Sequence, residues 1–333
     1  MKHITISQGG VLPHINLTLI PKKAKATGKL VYLNDNHTSV VGMRETVLWR
    51  KFGFKCLKYD DFMKEANLIR QNDYTNQLFV FPAQSNFNGK KYNLSIINDI
   101  KKPKKFVLLD AASFVPCSKL DLEKYQPDFV VFSFYKIFGY PTGLGALIVH
   151  KRAKSLLRKR YFGGGTQDIY LVDKKINYPR KNFSSRFEDG TIPFLQLVGL
   201  RAAFMCFTMS KFAGLPEKVE NVVFTIFSVF LKKLSELKHD NHQPIILIYG
   251  DMDHMSSKCN GAVLNFNVNK SAIKNKIILR TGTFCNIGAS QMWLNLTNDD
   301  LMKSYEANHV LDDSIGVIDG KPTGSKRNIK ILI

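Results

Sequence analysis

Short apolar runs bordered by proline, glycine or aspartate recur through the first half of the chain, separated by longer segments of helical pattern. Such runs are typical of buried strands. A helical pattern covers residues 39–53, and we expect Gly53 to end that helix. Strands that alternate with helices predict an α/β fold with a mainly parallel sheet. The predicted strands are 29–33, 77–83, 105–113, 128–134 and 145–150.

The pattern changes in the second half of the chain. Residues 191–237 are helical in pattern, with a break at the Gly-Leu-Pro sequence of 214–216. A polar segment over 238–243 follows, and beyond it three apolar runs alternate with polar turns, which predicts a smaller α+β unit. We therefore predict a large domain over 1–240 and a small C-terminal domain over 241–333.

The chain is strongly basic, with 48 Lys and Arg residues against 27 Asp and Glu residues and a formal net charge of +21. Such a charge could serve a nucleic-acid or anionic-membrane partner. The basic residues lie in short scattered groups without a continuous stripe, which favours a solvated basic surface. We therefore expect no nucleic-acid partner and no membrane partner, and no apolar run is long enough to span a bilayer.

Cysteine usage indicates a reducing compartment. The five cysteines are widely spread, odd in number and without a CxxC pair, so neither a disulfide framework nor a zinc site is predicted. No signal-peptide pattern begins at Met1. The expected location is the cytoplasm, and we expect no metal site.

Polar residues follow four of the predicted strands. His37 follows the first strand, and Asn86 follows the second. Asp110 lies at the end of the third apolar run, and Ser133 and Lys136 follow the fourth. Because the carboxyl ends of parallel strands form the ligand-binding edge of an open α/β sheet, these residues predict a cofactor site.

Lys136 lies in the sequence SFYKIFGYPTGLGAL, where three interpretations arise. It can be a surface lysine whose aliphatic stem packs past its aromatic neighbours. A P-loop lysine is excluded, because no GxxxxGK[ST] motif surrounds it. It can also form a Schiff base with pyridoxal phosphate, in which case Asp110 would pair with the pyridine nitrogen. The residues alone leave the first and third interpretations open.

Longer motifs carry a family resemblance. The chain contains, in order, NHTSVVGMRE, FPAQSNFNGKKYNLS, FVLLDAASFV, PDFVVFSFYKIFGYPTGLGALIVHKR, YFGGGT, SRFEDGTIPFLQL, LRTGTFCNIGASQ and VIDGKPTGSKR. Together, over about residues 31–327, they resemble the cysteine-desulfurase-like domain of eukaryotic molybdenum cofactor sulfurases, within the class-V aminotransferases. The resemblance implies the fold type I of pyridoxal-phosphate-dependent transferases, with a mainly parallel large domain and a smaller α+β C-terminal domain.

The resemblance also implies the cofactor, pyridoxal 5′-phosphate, and its contacts. Lys136 would bind the cofactor covalently, and Asp110 would pair with the pyridinium nitrogen. His37 would stack on the ring and handle protons. Asn86 and Ser113 would lie near the phenolic oxygen.

Further implied contacts concern the phosphate, a partner subunit and the substrate. Ser133 and Tyr135 would bind the phosphate. Thr191 would reach the phosphate in a neighbouring subunit, which implies a homodimer. Arg327 would bind the carboxylate of L-cysteine, a task that suits its planar fork of donors.

Cys285 is the nucleophile that the resemblance implies. In this family a loop thiolate takes the sulfur of L-cysteine as a persulfide, alanine is released, and the molybdenum cofactor accepts the sulfur. The family has two further cysteines in this motif where the chain has Thr283 and Ser290, so Cys285 alone remains. The residue type by itself also permits a small buried apolar residue.

Two departures from the family leave other functions open. The region before Val31 does not contain the Gly/Ala/Thr turn that binds the cofactor phosphate in the family. The chain also ends without the family's C-terminal domain for the molybdenum cofactor. The alternatives are therefore a truncated non-catalytic paralogue and another class-V enzyme such as a selenocysteine lyase.

Overall fold

The structure is a computed structural model, which describes residues 2–8, 28–49, 51–68, 76–139, 143–157, 161–208, 215–251, 256–268, 280–306, 317–318, 321–322 and 328–332. The strands of its largest sheet are, in chain order, β1 (Lys2–Gln8), β2 (Gly28–Leu33), β3 (Gly53–Leu57), β4 (Asn76–Pro82), β5 (Lys105–Asp110), β6 (Phe129–Ser133) and β7 (Leu144–His150). Across the sheet their order is β1-β7-β6-β5-β4-β2-β3.

This sheet is mainly parallel. The neighbours β3, β2, β4, β5 and β6 all run in one direction, whereas β7 is antiparallel to both β6 and β1. The predicted α/β fold with a mainly parallel sheet is confirmed. All five predicted strands are present, with ends shifted by a few residues, whereas β1 and β3 were not predicted.

The central strands are buried on both faces. In β4, Leu78 and Val80 pack on one face of the sheet, while Phe79 and Phe81 pack on the other. Successive strand side chains point to opposite faces, so a sheet covered on both sides needs apolar residues at every position. This explains why the central strands appear in the sequence as continuous apolar runs.

Short helices cover the two faces. Met43 and Phe183 pack against one face, and Phe62 and Ile97 pack against the other. The short helices are α1 (Thr38–Val41), α2 (Met43–Trp49), α3 (Tyr59–Asn67), α4 (Ile96–Ile100), α5 (Tyr135–Phe138), a 3-10 helix (Lys151–Leu156) and α6 (Phe183–Phe187).

The prediction of one helix over 39–53 that ends at Gly53 is wrong. Gly42 ends α1, and Gly53 is the first residue of β3. The helical segment ends earlier because Lys51 adopts a left-handed φ of 58°. Its N–H donates to the Leu48 carbonyl, and the next N–H donates to the Val47 carbonyl, which is the bonding of a Schellman cap.

The later part of the chain contains longer helices. Of the break predicted at 214–216, Gly214 lies outside the described residues, while Leu215 and Pro216 begin a helix. Pro216 lies in the first turn of that helix, where a residue does not need its N–H for an intrahelical hydrogen bond. The remaining elements are β8 (Gln167–Tyr170), β9 (Asn177–Pro179), α7 (Phe194–Thr208), α8 (Leu215–Ser235), β10 (Ile246–Ile248), β11 (Val263–Val268), β12 (Arg280–Thr281), α9 (Ile287–Leu294), α10 (Asn298–Glu306), β13 (Val317–Ile318), β14 (Lys321–Pro322) and β15 (Asn328–Leu332).

A smaller antiparallel sheet lies in the C-terminal part of the chain, with the strand order β10-β11-β15-β12. Its strands occur together with α9 and α10, as the predicted α+β unit requires. The domain boundary near residue 240 stays a prediction. Among the helices of the described residues, none combines the length and the apolar character needed to cross a bilayer.

Candidate active site

The carboxyl ends of β2, β4, β5 and β6 lie side by side at one edge of the main sheet, because these strands are parallel neighbours. His37 follows β2, and Asn86 follows β4. Asp110 and Ser133 are the last residues of β5 and β6. The fold therefore brings the strand-end residues singled out in the sequence to the same edge.

Lys136 lies in α5, a single helical turn that begins just after β6. Phe134 anchors this turn, because it is buried and packs against Phe204 with ring centroids 6.0 Å apart. Gly139 ends the turn with a left-handed φ of 73°. The Lys136 side chain is half-buried and forms no ion pair with any described residue. A half-buried amine that pairs with no carboxylate of the described residues suits a lysine that bonds a carbonyl compound.

Asp110 is the buried carboxylate of this edge, with 8% of its surface exposed. Its Oδ1 accepts a hydrogen bond of 3.0 Å from the Ala112 N–H. Within the described ranges no donor reaches Oδ2, which leaves this oxygen available to a ligand. A cationic ring N–H is a suitable partner, because it would compensate the desolvation of the carboxylate.

His37 caps the N-terminus of α1. Its Nδ1 accepts the Ser39 N–H at 3.2 Å and lies 2.7 Å from Ser39 Oγ. A ring nitrogen that accepts from an N–H carries no proton, so the neutral ring carries its proton on Nε2. The cap therefore sets the orientation of the imidazole and leaves Nε2 as the nitrogen that can donate.

The structure brings Cys285 to two of these strand ends. The Thr38 N–H, next to His37, donates to the Cys285 carbonyl at 2.7 Å. Asn86 Nδ2 donates to the Phe284 carbonyl at 2.8 Å, across 198 positions in the sequence. The Cys285 thiol is half-buried and forms no disulfide. A potential nucleophile is therefore held beside His37 and Asn86.

Sequence reasoning missed two residues of this arrangement, Asp35 and Asn286. Both are buried, and Asn286 Nδ2 donates to Asp35 Oδ1 at 2.6 Å. The sequence contained a signal for their place in the site, since each of these two polar residues lies within two positions of His37 or Cys285. Residues 283–286, which include Cys285 and Asn286, are called the Cys285 loop below.

Three further predicted residues lie on the same strand-end connections. Ser113 is half-buried, and its Oγ accepts a hydrogen bond of 3.3 Å from Gln84 Nε2. Ser133 is half-buried at the end of β6, and Tyr135 begins α5 with 42% of its surface exposed. The predicted roles of these side chains at the phenolic oxygen and the phosphate stay predictions.

Two predicted residues are not brought to this edge by any described contact. Thr191 is exposed and follows Gly190, whose N–H donates to the Gly164 carbonyl. Arg327 lies outside the described residues. Their contacts with a partner subunit and with the substrate stay predictions.

The side chains at the edge fit pyridoxal phosphate chemically. Lys136 offers a primary amine for covalent attachment, and Asp110 offers for the ring nitrogen its Oδ2, which no donor of the described residues reaches. The His37 ring is oriented by its cap and can stack or exchange a proton. A lysine for covalent attachment and a carboxylate for the ring nitrogen are the protein groups by which such sites hold this cofactor.

The sequence is similar to known proteins over most of its length. The family model for aminotransferase class-V matches residues 16–292. The molybdenum cofactor sulfurase of Homo sapiens is 42% identical over 90% of this chain, and that of Danio rerio is 40% identical over 92%. The chain spans 36% and 40% of the length of these two relatives.

Solved cysteine desulfurases share the fold. The apo enzyme from Thermococcus onnurineus has a TM-score of 0.69 at 17% identity, covering 99% of this chain and 74% of that chain. A cysteine desulfurase from Escherichia coli has a TM-score of 0.70 at 14% identity, covering 99% and 73%. The predicted fold type I is confirmed.

A second family model, which describes the C-terminus of a core histone, matches residues 1–29. This stretch contains β1 and lies within the region that does not contain the expected phosphate-binding turn. The match covers too little of the chain to assign it. The class-V model covers most of the chain, and the resemblance seen in the sequence motifs is confirmed: the chain belongs to the aminotransferase class-V family.

Proposed function

We propose that the chain is a pyridoxal-phosphate-dependent sulfurtransferase that takes sulfur from L-cysteine onto Cys285 and releases alanine. The main support is the contact of the Cys285 loop with Thr38 and Asn86, which holds a thiol beside the candidate cofactor site. The similarity to molybdenum cofactor sulfurases supports the same reaction, with the molybdenum cofactor as sulfur acceptor.

The chain's own residues would hold the cofactor at the edge of the main sheet. When bound, pyridoxal phosphate supplies an electron sink for bond cleavage next to the substrate amine. Lys136 would bind it covalently, and Asp110 would keep its ring nitrogen protonated. Further contacts would come from Asn86, Ser113, Ser133, Tyr135 and, from the partner subunit, Thr191.

Proton transfer would fall to Lys136 and His37. The Lys136 amine would take the substrate Cα proton as a base. His37 Nε2 carries a proton in the neutral ring, so it would be the nitrogen that donates a proton during the reaction. Arg327 would orient the substrate through its carboxylate.

Sulfur transfer would be carried out by Cys285. Its thiolate attacks the substrate Sγ, an S–S bond forms, and the Cβ–Sγ bond breaks with its electron pair left on the substrate. The substrate carbon then takes up a proton. L-Cysteine and the Cys285 thiol thus give alanine and a Cys285 persulfide, so that atoms and electrons balance without an oxidant.

Titration with pyridoxal phosphate is the first test of this proposal. We expect the chain to gain the absorbance band of a lysine-bound cofactor and Lys136→Ala to lack it. Lys151→Ala, which changes an exposed lysine outside the candidate site, is the control and should retain the band. Identical spectra for the Lys136→Ala and unaltered chains would show that this lysine does not hold the cofactor.

Replacement of the thiol tests the sulfur-transfer step. We expect Cys285→Ser to lose alanine production from cysteine and to keep the absorbance band. Cys259→Ser is the matched control, because Cys259 is an exposed free thiol. Alanine production that survives in Cys285→Ser rules out this nucleophile.

We also propose that the chain forms a homodimer. Helix α7 is almost entirely apolar and has no polar side. Nevertheless, it exposes Phe194, Leu195 and Val198, with 86% of Leu195 accessible. Exposed apolar surface of this kind is typical of interfaces. A second copy is the proposed occupant, because Thr191, the residue expected to reach a neighbouring subunit, lies just before α7.

A non-catalytic binding protein is the second candidate. It is favoured by the region before Val31, which does not contain the expected phosphate-binding turn and in which residues 1–29 match another family. Such a protein would gain no absorbance band at any concentration of pyridoxal phosphate. The same titration therefore separates the two candidates.

We also propose that the protein is located in the cytoplasm and that it consists of a large domain over 1–240 and a small domain over 241–333.

A further inference from the structure

We propose that Asp35 and Asn286 are positioning residues that hold the Cys285 loop against the carboxyl ends of β2 and β4. This inference rests on the proposed function, because it concerns the placement of the sulfur-accepting thiol. It follows from a buried hydrogen-bond network, from the backbone conformation of the loop and from a close contact of α9.

Asp35 collects side-chain donors from three different segments. Ser85 Oγ and Asn286 Nδ2 donate to its Oδ1 at 2.8 and 2.6 Å, and Tyr92 Oη donates to its Oδ2 at 2.7 Å. Asp35 is only 2% exposed, so these donors take the place of water around the carboxylate. Burial and the charge of Asp35 raise the pKa of Tyr92, which keeps the phenol protonated as a donor.

Asn286 uses both ends of its side-chain amide. Its Nδ2 donates to Asp35 Oδ1 and also to Asn86 Oδ1 at 2.8 Å. Its Oδ1 accepts the Ala289 N–H at 3.1 Å and so caps the N-terminus of α9. One fully buried side chain therefore connects α9 to the ends of β2 and β4.

The backbone of the Cys285 loop needs this support. Phe284 and Cys285 have left-handed φ values of 56° and 57°, a conformation that is unfavourable for residues with a Cβ. Gly288, two residues beyond the loop, approaches the segment after β2 so closely that a Cβ would lie 2.1 Å from the Asn34 carbonyl oxygen. We infer that the bonds of Asp35 and Asn286 compensate for the left-handed backbone and set the position of the thiol.

The test compares two asparagine caps. In Asn286→Ser the hydroxyl can still cap α9, but it is too short to bridge Asp35 and Asn86. Asn182→Ser is the matched control, because Asn182 caps α6 through the same kind of bond and is exposed. The full chain without added cofactor is treated with a low concentration of iodoacetamide, and alkylation of each cysteine is followed by peptide mass spectrometry.

The measured quantity is the alkylation rate of Cys285 relative to that of the exposed Cys259 in the same sample. Loss of charge-assisted hydrogen bonds should make release of the loop easier, and we expect this ratio to rise about tenfold in Asn286→Ser. The ratio should stay unchanged in Asn182→Ser. A general loss of stability would speed alkylation of all buried thiols, so a matching rise at the half-buried Cys117 would overturn the inference.

Asp35→Asn provides a second variant if Asn286→Ser does not fold. It keeps the shape and one acceptor oxygen but loses the charge, so we expect a smaller rise of the ratio in the same direction. Circular dichroism identifies the folded variants. An unchanged ratio in a folded variant of either position overturns the inference.

This readout is independent of the proposed reaction, because alkylation requires neither bound cofactor nor turnover. If the ratio rises but the unaltered chain makes no alanine, the proposed function fails and the positioning role stands. In an active chain, Asn286→Ser should lower kcat more than it changes KM and should keep the absorbance band at Lys136. A normal kcat in that variant contradicts the inference and leaves the proposed function untouched.

Discussion

Among single residues, Gly288 limits how closely α9 can approach the segment after β2. A Cβ there would lie 2.1 Å from the Asn34 carbonyl oxygen, so Gly288→Ala must push α9 and the Cys285 loop outward. We expect a loss of about 1–3 kcal/mol in the free energy of unfolding and slower sulfur transfer, with the cofactor still bound. Urea denaturation and alanine production measure these effects. Gly164→Ala is the control, since nothing lies within 4 Å of its Cβ, and an equal effect there would contradict the argument.

Glu65 connects α3 to β2 and β3 through two ion pairs. Lys29 Nζ and Lys55 Nζ each lie 2.8 Å from one of its carboxylate oxygens. Burial alone raises the pKa of Glu65, but the hydrogen bonds from the two lysines outweigh this effect and lower the pKa to about 2. The folded pKa lies below the usual value of 4.5, so the ion pairs stabilise the fold above that pH. Their contribution is lost as the pH falls from about 4.5 to about 2.

Glu65→Gln should therefore destabilise the chain in a pH-dependent way. We expect the free energy of unfolding to fall by about 1–2 kcal/mol near neutral pH, because water screens the charge of the partly exposed Lys55. The loss should shrink near pH 3, which urea denaturation across this range measures. Asp61→Asn, which breaks an exposed ion pair with Lys64, should have little effect. A constant loss for Glu65→Gln from neutral to acidic pH would contradict the assignment.

The strand-end residues could be predicted as a set, because the ends of parallel strands always meet at one edge. This rule brought His37, Asn86 and Asp110 together from sequence alone. It could not reveal the bond between Asp35 and Asn286, which spans 251 positions. Such a contact depends on how the C-terminal elements pack against the main sheet, and local patterns contain no information about that packing.

At the scale of elements, the 3-10 helix is tied to the main sheet by the guanidinium of Arg152. The guanidinium forms a two-point contact with the Asp128 carboxylate, which is fully buried, and also donates to the Lys105 carbonyl at 2.8 Å. Asp128 in turn accepts the Val107 N–H of β5. Because removal of Arg152 leaves a buried charge uncompensated, we expect Arg152→Ala to lower the free energy of unfolding by about 3–5 kcal/mol.

A double variant tests the cause of that loss. If the uncompensated charge is responsible, Asp128→Asn combined with Arg152→Ala should be more stable than Arg152→Ala alone in urea denaturation. Arg152→Lys should restore only part of the stability, since a point charge cannot form the two-point contact. Additive losses in the double variant would show that the two side chains act independently.

Strands with a buried apolar pattern were predicted well, and strands with exposed residues were not. The strands β4 and β5 are buried at almost every position, so their composition marks them in the sequence. By contrast, β3 is an edge strand with mostly accessible residues, and β8 and β9 form an exposed hairpin. Strand pairing at such positions is stabilised by backbone hydrogen bonds, which any residue but proline can form. The side chains of these strands therefore leave no apolar pattern in the sequence.

At the scale of the whole molecule, the exposed surface of α7 predicts association. We expect sedimentation velocity to show a dimer, and the double substitution Leu195→Glu and Val198→Glu to raise the dissociation constant about a hundredfold or more. Leu48→Glu, at an exposed apolar position of α2, is the control and should leave the dimer intact. A monomeric unaltered chain at micromolar concentration would contradict the homodimer.

Association should also affect the cofactor, because Thr191 is proposed to reach the phosphate bound in the partner subunit. Separated subunits would lack that contact, so the double variant of α7 should bind pyridoxal phosphate more weakly than the dimer does. Thr191→Ala should weaken binding by a comparable factor while the dimer persists in sedimentation. If the monomeric variant binds the cofactor as tightly as the unaltered chain, then each site is complete within one subunit, and Thr191 has no role across the interface.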